Sequence, residues 1–558
     1  MINLDIPTPC SNEELKILKQ KILNLDPDVS SIRFYLESNN DAEQLKSLFS
    51  SLPHSVKQVR ISILHIENQS CIALKEAMSG FKKTAVTTID LSNNRLGTKT
   101  GEELSQVILG FQATPVMNLL LNNNNLAKRS GSELGQMVSG LKDTSISAVD
   151  LSSNDLYLKS SDELVQLVSN FKDTPVRSVD LSSNKFHTKT GIELNQFSSA
   201  FKHTKISSIQ LNENGFSDNN IEDLFQLASG FQGTSVTSVG FGWNDLGRKT
   251  GGDLKQFIYR FKGTSIHTLL LDHNQLYLLN GEELHQVMSG LKETVVTTLG
   301  ISNNLLNRKD GDELVHMISG LEGTLITTLD ISSNELGDKT ADELSQLAAA
   351  FKKTPVTSLN LGSNNLGKKN GYELFGLISG FKGSSITHLR LGNNDLGTIR
   401  GERLLKFALE LQNTPINDLD LSENLLGKQS VKELITFVSA IPTSVISINF
   451  IKNGLFSNKT TSERDNLISG LSPYNDQNRL NMQDNGESVF ARAFAPLVSL
   501  ARNPDRVIPL EIINEIISKL TVNRFFTPVD IKKKAAPVFT EKQDETVVEN
   551  CNDPFELR

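Results

Sequence analysis

The sequence predicts an α/β solenoid, in which one short strand and one helix alternate along most of the chain. Three observations support this prediction. The stretch VTTIDLSNNRLGTKTGEELSQVILGFQATP (86–115) recurs in altered form every thirty residues. One asparagine, Asn94 in this copy, keeps its position from copy to copy. Each copy also ends in a segment with the apolar spacing of a helix.

The first half of each copy predicts a strand followed by a turn. Ile89 and Leu91 are two residues apart, so they face the same side of an extended segment. A buried turn after that strand needs partners for its backbone N–H and C=O groups. An asparagine side chain both donates and accepts, so we predict a structural column of stacked asparagines. The column comprises Asn94, Asn124, Asn154, Asn184, Asn214, Asn244, Asn274, Asn304, Asn334, Asn364, Asn394, Asn424 and Asn453.

The second half of each copy predicts a capped helix. Thr100 is a favourable N-cap, and Glu103 stands three residues later, as in a capping box. Leu104 and a large apolar residue seven positions later lie on one helical face, which we expect to pack on the strands. The copy with Arg400 and Arg403 lacks both capping residues.

The two layers predict a curved array. Strands stack roughly 4.8 Å apart, whereas packed helices need roughly 8–10 Å. The helical layer must therefore follow the longer arc. We predict a horseshoe with a parallel β-sheet on the concave face and α-helices on the convex face, plus a small C-terminal helical region.

The apolar pattern Leu-x-x-Leu-x-Leu-x-x-Asn-x-Leu resembles the leucine-rich repeat signature. The long helical half is similar to the ribonuclease-inhibitor-like class, which also includes the Ran GTPase-activating proteins. This resemblance implies a protein-binding solenoid. The predicted organisation is an N-terminal cap with a degenerate repeat (1–55), a solenoid of about 14 repeats (56–471), a C-terminal helical region (472–539) and a disordered acidic tail (540–558).

The tail resembles the ends of effectors that Legionella-type bacteria inject into host cells. Its acidic and apolar residues are Glu541, Asp544, Glu545, Glu549, Phe555 and Leu557. The N-terminus lacks the basic and apolar regions of a Sec signal peptide. The resemblance therefore implies a cytoplasmic protein of the producing cell that is translocated into host cytoplasm through a C-terminal signal.

The composition of the chain and the spacing of its cysteines and histidines disfavour several classes of function. The 558 residues carry a net charge of −8 with a pI of about 5.7, which does not favour nucleic acid. Cys10, Cys71 and Cys551 are far apart, so they predict no disulfide framework. No histidine or cysteine spacing is typical of a metal site, no apolar run would span a membrane, and no small-molecule substrate or cofactor is indicated.

Function is expected where the copies differ. Trp243, the only tryptophan, and His273 occupy equivalent places in neighbouring copies. Trp243 either anchors a protein partner on the concave face or fills space left by Gly240 and Gly242. The predicted partner-binding residues are Trp243, His273, Asp245, Asp272, Gln275, Asp150, Asp180, His388 and Arg390.

A basic column precedes the helices. Such loop residues are usually solvated, and the alternative is a rim that binds an acidic partner surface. The column comprises Lys99, Arg129, Lys159, Lys189, Lys249, Lys309, Lys339 and Lys369.

We therefore predict a non-enzymatic protein–protein interaction scaffold, acting as a secreted bacterial effector in a host cell. One alternative is a GTPase regulator, by analogy with the Ran GTPase-activating proteins. The other is a ubiquitin-ligase adaptor acting through helices within 485–539, where VIPLEIINEIISKL (507–520) resembles an F-box helix.

Overall fold

The structure is a computed structural model that describes residues 2–6, 12–26, 29–36, 41–368, 371–475, 479–483 and 485. The acidic tail (540–558) and the predicted C-terminal helices within 486–539 lie outside the described residues. So do Lys369 of the basic column and Cys10 and Cys551.

The strands are three residues long in most of the repeats. They are β1 (Ile2–Ile6), β2 (Ser31–Leu36), β3 (Gln58–Ile63), β4 (Thr88–Asp90), β5 (Asn118–Leu120), β6 (Ala148–Asp150), β7 (Ser178–Asp180), β8 (Ser208–Gln210), β9 (Ser238–Gly240), β10 (Thr268–Leu270), β11 (Thr298–Gly300), β12 (Thr328–Asp330), β13 (Ser358–Asn360), β14 (His388–Arg390), β15 (Asp418–Asp420), β16 (Ser447–Asn449) and β17 (Leu480–Asn481).

The helices alternate with the strands along the chain. They are α1 (Asn12–Leu23), α2 (Ala42–Phe49), α3 (Cys71–Met78), α4 (Gly101–Leu109), α5 (Gly131–Ser139), α6 (Ser161–Ser169), α7 (Gly191–Ser199), α8 (Ile221–Ser229), α9 (Gly251–Tyr259), α10 (Gly281–Ser289), α11 (Gly311–Ser319), α12 (Ala341–Ala350), α13 (Tyr372–Gly380), α14 (Gly401–Glu410), α15 (Val431–Ala440) and α16 (Thr461–Asn475).

The described residues form two compact units. One lies within Met1–Leu305 and His316–Leu329, and the other within Leu306–Val315 and Asp330–Arg558. In the first unit, β1 to β11 pair in chain order, and every pair is parallel. In the second unit, β13 to β17 do the same. The predicted strand-and-helix solenoid is thus confirmed within each unit.

Each repeat buries its apolar residues between its strand and its helix. In the copy that begins at Val86, Ile89, Leu91 and Leu104 are each at most 3% exposed. Parallel strands are joined here by a helix on one side only, so the other side of each strand remains available to solvent. We call this second side the strand side. It carries the residues that alternate with the core residues.

The buried asparagines form a ladder from repeat to repeat. The Asn184 Oδ1 accepts the backbone N–H of Asn154 at 3.0 Å and of Leu156 at 3.1 Å. Its Nδ2 donates to the backbone carbonyls of Leu151 and Leu181 at 3.1 and 3.0 Å. One amide group therefore satisfies the backbone of two adjacent turns, away from water.

The turn around each asparagine has an unusual backbone. The residues immediately before and after Asn94 both have positive φ, 60° at Asn93 and 54° at Arg95. Non-glycine residues rarely adopt this left-handed conformation. The same pair recurs at Trp243 and Asp245, where φ is 55° and 53°. The ladder bonds hold this conformation for side chains of every chemical type.

The helix starts follow the predicted capping pattern. Thr100 accepts the N–H of Glu103, and the Glu103 carboxylate accepts the N–H of Thr100 at 2.9 Å. Asp223 stands at the equivalent position of α8, where its backbone N–H donates to the Asn220 side chain and no return bond is present. Aspartate is one methylene shorter than glutamate, which accounts for the missing return bond. Arg400 makes no side-chain cap, as its residue type predicts.

The strand pairing and the asparagine ladder continue past residue 471, where the thirty-residue period predicts that the solenoid ends. Helix α16 runs to Asn475, and β17 pairs with β16 in parallel. Asn485 accepts the backbone N–H of Asn453 at 2.8 Å and donates to the carbonyl of Phe450. The spacing between these two asparagines is longer than thirty residues, which hides this repeat from a fixed-period search.

Replacing Asn184 with alanine should destabilise the solenoid by on the order of 3 kcal/mol, because several buried backbone groups lose their partner together. The measurement is the urea-unfolding midpoint followed by circular dichroism. Ser153→Ala is the matched control, since Ser153 belongs to an equivalent turn but not to the ladder. It should change stability by less than about 0.5 kcal/mol. Equal effects of both variants would contradict the assigned importance of the ladder.

Candidate functional site

Trp243 stacks on His273. Their ring centroids are 3.9 Å apart and their planes differ by 15°. Trp243 is nevertheless 56% exposed, while His273 is half-buried. A large aromatic side chain held against a neighbour and still exposed is a surface ready to be covered by another molecule.

The turn conformation determines where these two rings lie. Strand β9 ends at Gly240 and β10 ends at Leu270, so neither ring belongs to a strand. The alternation of side chains along a strand therefore does not determine their direction. Their positive φ values of 55° and 56° turn both side chains out of the buried turn in the same way. Successive repeats then bring the rings into register.

The alternative role for Trp243, filling space beside Gly240 and Gly242, does not match the geometry. A Cβ at Gly240 would first meet the side chains of Gln210 and Asn212. The N–H of Gly242 donates to Asn212 Oδ1 at 2.7 Å. Neighbouring polar side chains therefore occupy the space at these glycines.

The polar residues predicted near Trp243 are already hydrogen-bonded within the protein. Gln275 Nε2 donates to Asp245 Oδ1 at 2.5 Å, and Arg248 lies 3.5 Å from the other oxygen of Asp245. Asp272 Oδ1 accepts the backbone N–H of Ser302 at 2.8 Å. These bonds fix the polar surroundings of the stacked rings within the protein itself.

Burial lowers the pKa of the His273 imidazole below its ordinary value of 6.5, although the charge of Asp272 acts in the opposite direction. His273 is therefore neutral at neutral pH. Because the folded state resists protonation of His273, the unfolded state binds this proton more readily. The fold is therefore unaffected by His273 above pH 6.5, and its stability declines as the pH falls below that ordinary pKa.

Asp150 and Asp180 lie side by side on neighbouring strands. Each is half-buried, and each Oδ1 accepts a backbone N–H two residues later, from Ser152 at 2.8 Å and from Ser182 at 2.9 Å. Burial raises the pKa of Asp150, and its hydrogen bonds with Ser152 oppose that effect. These two aspartates support the turns of their own repeats.

His388 and Arg390 lie in the second unit, both on β14 and both exposed. They line a groove of about 220 Å³, together with residues of β13, β15 and β16. The structure thus divides the predicted partner-binding residues into a set around Trp243, the Asp150–Asp180 pair and this groove.

The described lysines of the basic column are buried or half-buried and bond inward, contrary to both interpretations of the column from its sequence. Lys159 is only 8% exposed. Its Nζ donates to the Arg129 carbonyl of the preceding repeat at 2.8 Å and to Glu163, the capping-box residue, at 2.9 Å. Lys189 contacts the carbonyl of Lys159 in the same way at 2.6 Å. Lysines of the column thus tie their loops to the preceding repeat, whereas Arg129 bonds to Glu133 of its own repeat.

One signal in the sequence could have revealed this internal column. Leu279 and Ile399 occupy the lysine position in two copies, and both are 2% exposed. A solvated rim would not tolerate buried aliphatic residues at equivalent places. Reading the substitutions within the column, rather than its commonest residue, would have predicted burial.

The described part of the chain contains no cluster of three or more potential metal ligands. Within that same part, none of the helices combines the length and the apolar character that a membrane span requires.

The fluorescence of Trp243 should report the protonation of His273, because this tryptophan is the only one in the chain. We expect an emission change on acidification with a midpoint below 6.5, since burial lowers the pKa of His273. His273→Gln should remove the transition. A midpoint at or above 6.5, or a transition that survives in His273→Gln, would contradict the stacked arrangement.

The comparison with family models agrees with the architecture. A family model described as Leucine Rich repeat matches residues 324–345. Among solved structures, the chain is similar to the leucine-rich repeat-containing protein LegL7 from Legionella pneumophila, with 23% identity and a TM-score of 0.47, covering 58% of this chain and 97% of that one. No curated protein matches the chain. The thirty-residue period, the parallel strands and the asparagine ladder show a leucine-rich repeat type of solenoid fold within each unit, and the family model matches part of it.

Proposed function

We propose that this protein is an interaction scaffold that binds a partner protein through the strand side and the turns that follow the strands, with Trp243 as the anchor of the contact. The observation that supports this most directly is the exposed indole stacked on His273. Tryptophan is among the residues that contribute most to protein interfaces when a partner covers it.

The stack also prepares the anchor for binding. An exposed side chain normally loses conformational freedom when a partner immobilises it, at a cost of roughly 0.5–1.5 kcal/mol. Contact with His273 already restricts the Trp243 ring. Much of that cost is therefore met during folding, and more of the energy gained by burying the indole is available for binding.

The surroundings favour a specific contact over nonspecific adhesion. Asp245, Gln275 and Asp272 form a polar border whose hydrogen bonds are already made. A central aromatic residue inside a polar rim is the usual anatomy of a protein interface. Because Asp150 and Asp180 support their own turns, we assign them a smaller share of the binding energy.

Trp243→Ala should weaken capture of the partner by about thirtyfold, equivalent to ~2 kcal/mol, because the anchor is lost. The experiment immobilises the full chain, captures proteins from host-cell lysate, identifies them by mass spectrometry and titrates the enriched protein against each variant.

Leu158→Ala is the matched control, since Leu158 is 61% exposed and lies in the same unit but outside the strand side. It should leave capture unchanged. If Trp243→Ala retains the same partner with the same affinity, the proposed anchor is wrong. If the enriched protein is a small GTPase whose hydrolysis accelerates, the regulator alternative replaces the scaffold.

We further propose that the scaffold acts as a bacterial effector inside a host cell. This proposal is supported by the acidic and apolar pattern of 540–558, including Glu541, Glu549 and Leu557. A translocation reporter fused to the N-terminus should reach the host cytoplasm with the full chain and fail when 540–558 is removed. Equal delivery of both forms would show that the tail is not the signal.

A further inference from the structure

Arg390 lies between two pairs of side chains, and within each pair the two members are hydrogen-bonded to each other. Asn360 Nδ2 donates to Asp330 Oδ2 at 2.8 Å on one side. Asn449 Nδ2 donates to Asp420 Oδ1 at 2.9 Å on the other. The strand register places Arg390 directly beside Asn360 and Asp420. The equivalent position thus reads as acid, amide, arginine, acid and amide across five adjacent repeats.

The two aspartates of this row are occupied. Asp330 Oδ1 accepts the backbone N–H of Ser332 at 2.8 Å, and Asp420 Oδ1 accepts that of Ser422 at 2.9 Å. Among the described residues, no hydrogen bond or ion pair involves the exposed Arg390 guanidinium. Its five N–H donors therefore face solvent on a surface whose other polar groups have mostly found partners.

A second basic side chain lies on the same strand. His388 is exposed, and its Nδ1 lies 2.9 Å from the hydroxyl of Thr387. This contact leaves Nε2 as the ring nitrogen that can meet a ligand. Because His388 and Arg390 are two residues apart on one strand, both side chains project to the strand side.

The groove beside them can admit one side chain. Its volume is about 220 Å³, and its polar lining comes from Ser358, His388, Arg390, Asp418, Asp420 and Asn449. Asp418 lies at the same register level as His388, and Asp420 at that of Arg390. Asp420 already accepts from Ser422 and Asn449, so Asp418, at the level of His388, is the carboxylate that would repel an anionic ligand. At the level of Arg390, a carboxylate would meet an unused fork of donors, whereas a cation would approach the guanidinium.

We propose that Arg390, assisted by His388, binds the carboxylate of a glutamate or aspartate presented by the partner protein. The inference rests on the proposed scaffold function and names the chemistry of a second contact, separate from Trp243. A guanidinium binds a carboxylate through two parallel hydrogen bonds, which gives both attraction and orientation. The partner segment that reaches this groove is therefore acidic.

The test compares two displayed peptide libraries on the immobilised full chain. One library has a glutamate fixed at its centre, and the other has a glutamine there, with the remaining positions randomised alike. The wild-type protein should retain the glutamate library about tenfold better, a difference of ~1.4 kcal/mol. Arg390→Gln should equalise the two, and Arg390→Lys should keep part of the preference because it retains the charge without the planar fork.

Arg177→Gln provides the matched control. Arg177 is also exposed and immediately precedes a strand, but its guanidinium already donates to the carbonyl of Lys205 at 3.2 Å. Its replacement should leave the glutamate preference unchanged. Circular dichroism and the urea midpoint establish that each variant is folded. Gln should be tolerated at position 390, because the preceding repeat carries an amide, Asn360, at the equivalent position.

Three outcomes would overturn the inference: equal retention of both libraries by wild type, a glutamate preference that survives in Arg390→Gln, or selection of lysine-rich peptides that depends on Asp418.

Trp243→Ala separates this inference from the scaffold proposal. If peptide retention depends on Trp243 and not on Arg390, the carboxylate site is wrong and the scaffold stands. If the Trp243 capture experiment fails while the Arg390 preference holds, the anchor is wrong and the carboxylate site stands.

Discussion

The buried asparagine ladder is the interaction on which the rest of the structure depends. Most repeats end their strand after three residues and must turn inside the protein, where unpaired backbone groups would cost several kcal/mol. One amide, such as that of Asn184, satisfies groups in its own turn and in the preceding one. The stability of a repeat therefore depends on its neighbour, as expected for a solenoid.

The ladder also explains why a surface site can form in a repetitive protein. It holds the residues on both sides of each asparagine at positive φ, whatever their side chains. These positions can then vary without loss of the fold. In two adjacent repeats they carry Trp243 and His273, and stacking of the rings produces the exposed aromatic surface. Variation at a position that the backbone has already fixed is how a uniform scaffold acquires a specific contact.

Charged residues that recur at equivalent positions of the repeats differ in whether the structure leaves them free to bind another molecule. The lysines before the helices bond inward to carbonyls of the preceding repeat, as Lys159 does to Arg129. Aspartates at the last position of a strand, such as Asp150, Asp180 and Asp420, accept backbone N–H groups of their own turns. Arg390 differs because its neighbours bond to one another and leave its guanidinium without a partner among the described residues. Availability for binding follows from the bonds of adjacent repeats, not from residue type.

The sequence by itself determined the repeat, the strand and helix of each copy, the caps and the asparagine column, because these features depend on residues within one thirty-residue period. It also singled out Trp243 and His273 as exceptions. It did not reveal the positive φ values, since serine, lysine and tryptophan alike occupy those positions. Nor did it show that the lysine column is buried or that Asn485 extends the ladder. Only the tertiary structure decided these points, because the partners of each group belong to the next repeat, about thirty residues away.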